Sequence, residues 1–551
     1  MKKTRKKILA LLLVGCAALS FFTAGCCCEK SKPGKSCKLV LVIVVDQLRA
    51  DLIMQLEDRF GPGGFRYLID KGVWYKNAHY SHVTTLTAVG HATIFTGAIP
   101  ADHGIVGNYW LNRRSGEVIA SIGAAVPGDP ARKILGPQQL TADTIGDELV
   151  LASGEKSRVF CVSVKDRGAI LPGGFLGKAF WYSKDTGGFH SGEYYYKTAP
   201  SWLAGWNRLK KADRYKDKKW QILKDKSTYI YGDNDNRGEE KTYNVYFNHR
   251  AEFPYSLPDN KDFYSLLRFT PYADELTRDF ACYLLQAEKL GQGDFIDMLS
   301  ISFSVTDFVG HTFGPCSLEY EDNLLQLDVT LAKLFQFVDK TVGLDKTLVV
   351  LTGDHGVDLI PEYRQRLGMP AGRIGPPDFD RAINAVLRKK YNSKENFVLG
   401  FRNPSIYLNL PLLEKLKLNT AEVEAAAAAA VMEMEGIAFA ATRSDMLRGG
   451  LPGVPALEKL RNVFHPSRSG NILVMQEPFW FLYHVHDEDA AMHGSAFSYD
   501  THVPIFFAGP GIRRGVVYRR VSPRDIAPTI SLKLGIGLPS SASGEPLLEV
   551  F

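Results

Sequence analysis

The chain has 551 residues, 45% hydrophobic and 23% charged, which is enough for a large buried core and excludes a disordered or fibrous polymer. Its formal charge is +6, but Lys2, Lys3, Arg5, Lys6 and Lys7 supply five of those positives; the remainder is near neutral, and charge implies no nucleic-acid partner. Beyond Cys37, cysteine falls at Cys161, Cys282 and Cys316, an odd set without a CxxC pair, so neither a disulfide framework nor a thiolate metal site is suggested.

The opening "MKKTRKKILALLLVGCAALSFFTAGCCCEK" joins a basic segment to an apolar run and small residues, the pattern of an export signal over residues 1–25. A permanent membrane anchor is the competing reading, but Gly15, Cys16 and Gly25 break the run short of a spanning length. "TAGC", ending at Cys26, resembles a bacterial lipoprotein signal, with "LVGC" at Cys16 as a competing match. Cys26 leaves the longer apolar run, and once acylated it would hold the chain on a membrane surface in the periplasm or cell envelope. Residues 26–37 are expected as a polar tether and residues 38–551 as the folded domain.

"KLVLVIVVDQLRADL" begins with a β-branched run, the mark of a strand buried on both faces, and sets Asp46 at its carboxyl end. An aspartate there is ordinarily a turn or cap residue. "TLTAVGHATIFTG", residues 85–97, reads as a short apolar helix closed by Gly97; Thr87 at its start is, by itself, a capping hydroxyl. "GIVGNYW" offers the amide of Asn108. "SVKDRGAIL", after the apolar "SRVFCVSV", offers Lys165 and Arg167, which in isolation would be a surface charge pair.

Residues of about 180–265, rich in Tyr, Trp, Lys and Asp, read as an inserted lobe. "DMLSISFSVTD" then leads to Asp307 and His311, whose spacing sets both on one side of a helical turn. "KTLVVLTGDHG" ends in Asp354 and His355 at another strand end. A second insertion, about 370–485, holds "TAEVEAAAAAAVMEMEG", whose six consecutive alanines express helix propensity. His493, in "MHGSAFSYDTHVPIFF", precedes a last strand run. Strand runs alternating with helical patterns predict an α/β fold: a central, mostly parallel sheet covered by helices on both faces, with smaller inserted lobes. Ligands in such folds bind beyond the carboxyl ends of strands.

Asp46, Asp307, His311, Asp354, His355 and His493 are therefore expected at one edge of one sheet. Imidazole and carboxylate without thiolate suit zinc, with manganese or another divalent ion open, and the number of ligands points to a pair of metals. Two such cations, about 4 Å apart, clamp the attacking and leaving oxygens of an in-line displacement.

This pattern resembles the alkaline phosphatase superfamily, most closely its phosphate-irrepressible alkaline phosphatases, which are zinc phosphomonoesterases of the bacterial periplasm. The resemblance covers nearly all of residues 38–551, including the terminal "RDIAPTISLKLGIGLP". It implies two Zn2+ per chain, one on Asp307, His311 and His493 and the other on Asp46, Asp354 and His355, with Thr87 beside the second as the nucleophile that becomes a phosphothreonine. It also implies that Asn108, Lys165 and Arg167 hold the nonbridging oxygens of a monoester dianion, Arg by forking onto two oxygens and Lys as a point charge. Small phosphate monoesters are the expected substrates.

Three other readings compete. A type I phosphodiesterase or nucleotide pyrophosphatase would share the zinc set and threonine but would not call for Lys165 and Arg167. A sulfatase would need Cys or Ser within C/S-x-P-x-R, and "TAVGH" has neither. A non-catalytic surface lipoprotein of the same fold would have shed ligands, and none is missing. His79, His82, His91 and His103 match no ligand and are expected in packing or in hydrogen bonds around the site. "VFHPSRSGNILV", with His465 and Arg468, is expected to be a structural part of the second insertion.

Overall fold

The computed structural model describes residues 37–126, 128–234, 252–483 and 489–551. The export signal, Cys16, Cys26 and the tether up to residue 36 lie outside the described residues. A nine-stranded sheet organises the chain: β1 Leu39–Val45, β2 Val73–His79, β3 Val159–Ser163, β4 Lys178–Tyr182, β5 Phe189–His190, β6 Asp297–Phe303, β7 Thr347–Gly353, β8 His502–Ala508 and β9 Gly515–Val517. Their spatial order is β9-β2-β8-β7-β1-β6-β3-β4-β5. Five of its pairings are parallel; β8 runs antiparallel to β7 and β2, and β5 to β4.

Central β1 pairs in parallel with β6 and β7, Val45 standing opposite both Phe303 and Gly353. Residues that follow these three strands thus leave the sheet at one level. Asp46, Ser304 and Asp354 are those residues. Because β8 is antiparallel, it is the approach to this strand, past His493, that reaches the same edge.

Alternation along β1 feeds two cores. Leu39, Leu41, Ile43 and Val45 pack with helices α3 (Pro271–Ala287), α4 (Val305–Phe313) and α5 (Leu318–Thr341), whereas Val40, Val42 and Val44 pack with α1 (Thr87–Thr96), α2 (Asp166–Gly173) and α6 (Ile526–Leu534). A strand covered on both faces must be apolar throughout, each such side chain contributing about 1.5–3 kcal/mol on burial. The aromatic-rich stretch after β5 joins the first core through Trp206, Tyr215, Trp220, Tyr255 and Phe263, and the Trp220 indole N–H donates to Asp322 of α5 at 2.7 Å.

A second, four-stranded antiparallel sheet is formed by Val398–Arg402, Ser405–Leu408, Ile472–Gln476 and Ile437–Thr442, with its own core against helices Pro376–Lys390 and Thr420–Met432. Asn419 caps the alanine-rich helix, accepting from the Ala421 N–H at 3.0 Å. Arg468 ties this lobe to the main body: its guanidinium donates to the carbonyls of Gly104 and Gln139 and lies 5.0 Å from the Trp110 ring centroid. Among the described residues no cysteine is in a disulfide, and no helix is long and apolar enough to cross a membrane.

Candidate active site and metal centre

Asp307 and His311 sit one turn apart on α4, directly after β6, so both project from the sheet edge. Asp307 Oδ1 lies 3.1 Å from His311 Nε2 and 3.4 Å from His493 Nε2, and the two Nε2 atoms are 3.3 Å apart. Each ring spends its other nitrogen on a backbone carbonyl: His311 Nδ1 donates to Ala491 at 2.8 Å and His493 Nδ1 to Thr85 at 2.7 Å. In that tautomer both Nε2 lone pairs point at the carboxylate oxygen, a repulsive arrangement that either a proton on His311 or a metal cation among them relieves.

The second group repeats the logic. His355 Nδ1 donates to the Gly356 carbonyl at 3.0 Å, leaving Nε2 bare at 3.4 Å from Asp46 Oδ1 and 3.7 Å from Asp354 Oδ2. Asp46 Oδ1 is buried and meets no hydrogen-bond donor. The rings of His355 and His493 stack with centroids 3.7 Å apart, which joins the two groups. Within each triad one ligand atom per residue falls inside a 4.8 Å sphere of mutual distance. Orphaned buried oxygens and facing imidazole lone pairs fit a divalent cation in each triad.

Thr87 is the first residue of α1, behind an extended Leu86 (φ −127, ψ 153), and its hydroxyl does not cap the helix. The Oγ1 atom instead lies 3.5 Å from His355 Nε2. The N–H of the next residue, Ala88, donates to Asn108 Oδ1 at 3.0 Å, which leaves the amide NH2 of Asn108 as the free donor end. Asn108, Arg167 and Lys165 share with Thr87 a cavity of about 610 Å³, which Phe401 and Leu482 of the second lobe also line. The Nε of Arg167 is buried there without a partner. Lys165 lies with its ammonium on Asp307 and 2.6 Å from Asp46 Oδ2, bridging the triads as their counter-charge.

Three carboxylates buried side by side cannot all behave ordinarily. Burial, then the charges of Asp307 and Asp354, push the Asp46 carboxyl well above the usual range. Asp307 and Asp354 are held below it, because His311 and Lys165 beside the first, and His355 and His91 beside the second, outweigh their burial. His355 is pushed down to about 3 by burial, whereas Asp307 outweighs burial at His311 and raises it to about 9.

Residues 40–496 match the type I phosphodiesterase / nucleotide pyrophosphatase family. The fold superimposes on the crystal structure of the alkaline phosphatase PafA with a TM-score of 0.85 and 31% identity, covering 94% of this chain and 99% of that one. The chain belongs to the alkaline phosphatase superfamily. Alkaline phosphatase PafA of Elizabethkingia meningoseptica is 32% identical over 93% of this chain and 94% of its own, and alkaline phosphatase PhoV of Synechococcus elongatus 31% identical over 93% and 92%. A protein of Myroides odoratus named calcium-transporting ATPase is 33% identical over 93% and 94%. Murine ectonucleotide pyrophosphatase / phosphodiesterase 5, at 15% identity and a TM-score of 0.51, shares the fold.

In this superfamily member all ten residues singled out in the sequence come together at one sheet edge. His91, expected in packing or in hydrogen bonds around the site, takes the second of those roles, and Gln47 is a neighbour the sequence reading did not single out. His91, one turn along α1 from Thr87, donates from Nδ1 to the Thr87 carbonyl at 2.9 Å, stands 3.3 Å from Asp354 Oδ2 and bonds Ser302 through Nε2 at 2.9 Å. Gln47, beside Asp46, contacts both triads and carried no signal beyond adjacency. His82 and His103 share the Thr93 hydroxyl, at 3.4 and 3.2 Å, away from the triads.

Proposed function

We propose that this chain is an exported alkaline phosphatase that hydrolyses phosphate monoesters through a phosphothreonine at Thr87, with two zinc ions. Asp307, His311 and His493 would hold one ion; Asp46, Asp354 and His355 would hold the other. When bound, a pair of divalent cations favours the threonine alkoxide and neutralises charge that develops on the attacking and leaving oxygens.

The chain's own part is nucleophile, clamp and exclusion of water. Thr87 Oγ gives up its proton to water and attacks phosphorus in line, the P–O bond to the alcohol breaks, and the alkoxide leaves to be protonated by water. A water molecule then attacks the phosphothreonine, and the P–O bond to Thr87 breaks to release phosphate and restore the hydroxyl. The Asn108 NH2 and the Arg167 guanidinium, whose Nε is without a partner and whose Nη1 lies 3.9 Å from Asp166 Oδ1, line the cavity and donate to nonbridging oxygens, with Lys165 adding a point charge. A diester has one of those oxygens blocked, so this donor set favours monoesters.

The observation that carries the reading is the meeting of Thr87 Oγ1, two Asp/His triads and the side chains of Asn108, Lys165 and Arg167 at one edge. Supporting it, a PafA variant has been crystallised with substitutions at one threonine, one asparagine, one lysine and one arginine, the residue types of Thr87, Asn108, Lys165 and Arg167 in the same chain order. The family match favours a second reading, a phosphodiesterase or nucleotide pyrophosphatase with the same metal site. Comparing kcat/KM on an aryl phosphate and on the corresponding diaryl phosphate separates them: the monoester should win, and preference for the diester would overturn the assignment. Export with acylation at Cys26 is part of the same proposal, tested by palmitate labelling of the expressed chain and of its Cys26→Ala variant.

A further inference from the structure

We propose that the cavity wall away from Thr87 is a subsite for a flat apolar leaving group, so that aryl and benzyl esters are preferred over small aliphatic ones; this rests on the monoesterase reading above. The cavity, about 610 Å³, is far larger than a phosphoryl group and lies in the range that takes a drug-sized ligand. Large apolar side chains line it from both the main body and the second lobe, beside the polar Arg402, Asn403 and Asp489. Tyr109 and Val118, on the hairpin of Tyr109–Leu111 and Val118–Ala120, are 51% and 41% exposed although both are large and apolar. Phe401, Leu482 and Met492 face the same space. The hairpin begins one residue after Asn108, so the donor that fixes the phosphoryl group and the ring that would cover the leaving group move as one piece. A half-exposed Tyr–Val pair at the mouth of a reactive site is apolar surface awaiting a planar partner.

Benzyl phosphate and ethyl phosphate have leaving alcohols of similar acidity, so the ratio of their kcat/KM values reads contact rather than chemistry. The native protein should favour the benzyl ester by about tenfold, the value for partly burying one ring. Tyr109→Ser with Val118→Ser, both at exposed positions, should bring the ratio to about one. Inhibition of the native protein by benzylphosphonate and ethylphosphonate gives the same ratio without turnover or mutation. Equal rates and equal inhibition for the two would overturn the subsite while leaving the phosphatase reading intact. Better turnover of a diester than of either monoester would overturn both.

Independently, we infer that Gln47 is a positioning residue that couples the two triads. It is fully buried and holds a left-handed backbone (φ 64), an unfavourable state for a residue with a long side chain. Its backbone N–H donates to Asp354 Oδ1 at 3.0 Å, its side-chain amide donates to Asp307 Oδ1 at 3.0 Å, and its carbonyl accepts from the Tyr320 hydroxyl at 2.6 Å. One residue therefore orients a carboxylate in each group. Gly310 on α4 makes the space: a Cβ there would stand 1.7 Å from Gln47 Oε1.

Gln47→Gly keeps the backbone donor at a conformation glycine adopts freely and deletes the buried side chain together with its link to Asp307. The protein is purified with zinc and titrated with a chelator, metal being counted by mass spectrometry. One of two ions should leave about tenfold more readily than in the native protein, with kcat lowered and the thermal midpoint not reduced. Gly310→Ala, which leaves Gln47 in place but crowds its amide, should loosen the same ion. Native retention of both ions in Gln47→Gly would overturn this role alone, whereas a native protein that retains no divalent metal would overturn the metal reading with it.

Discussion

Gly90, one turn into α1, lies directly against Asp354: a Cβ built on it would stand 2.1 Å from the Asp354 carbonyl oxygen and 2.8 Å from the Asp354 Cβ. The helix that carries Thr87 is thereby seated on the backbone that carries one triad. That contact sets the distance between Thr87 and its neighbour His355, and backbone cannot yield as a flexible side chain can.

Gly90→Ala should accordingly push α1 and the Asp354–His355 segment apart. Overpacking of this kind destabilises by about 2–3 kcal/mol. The expected result is a lower urea midpoint together with loss of turnover beyond what the lost stability explains; a variant with native stability and native kcat would refute the close seating.

Thr87→Ala should reduce turnover by about a thousandfold or more while zinc content stays close to native, because the hydroxyl is one contact beside a triad that is otherwise complete. Thr87→Ser keeps an oxygen in reach and should restore part of the rate. Rapid-quench labelling with a radioactive monoester is the direct measurement, phosphate appearing on Thr87 in the native protein and not in Thr87→Ala.

Replacing Arg167 or Lys165 by Ala should lower kcat/KM for a monoester by about 10–100-fold each, the worth of a charge-assisted contact. The matching diester should lose less, since one nonbridging oxygen is already blocked. Equal losses on both substrates would remove the two cations from the phosphoryl group. Because Lys165 also touches Asp46 and Asp307, metal content must be measured alongside.

Asp274 gives a pH signature separate from the reaction. Burial raises its carboxyl to about 8 from an ordinary 3.8, outweighing the N–H groups of Val305 and Ser304 that bond Oδ1, while Oδ2 is buried without a partner. The fold thus prefers the protonated acid: this contribution is complete below about pH 4 and is lost as the pH climbs toward 8. Asp274→Asn keeps an oxygen acceptor and removes the titration. Thermal melts at pH 5 and pH 8 should show the variant gaining on the native protein as pH rises, and an unchanged difference would refute the shift.

Much of the site was legible because its residues follow strands. Asp46, Asp354 and His355 come immediately after β-branched or apolar runs, and Asp307 and His311 share one helical turn after another such run. Gln47 escaped notice, and His91 was placed only in packing or in hydrogen bonds around the site, for a physical reason: their importance lies in which carboxylate they touch, 263 and 307 positions away for His91 and Gln47 on Asp354, and no local pattern encodes that.

The sequence by itself determined the element types, the strand ends that bear carboxylates and the imidazole–carboxylate composition that suits a divalent ion, since each follows from local periodicity and side-chain chemistry. Tertiary structure alone decided the rest. Register across β6, β1 and β7 brings Asp46, Ser304 and Asp354 to one level, and the reversed direction of β8 delivers His493 to that same edge. Such alignment is a property of hydrogen-bonded neighbours hundreds of residues apart, so it exists only once the sheet has formed.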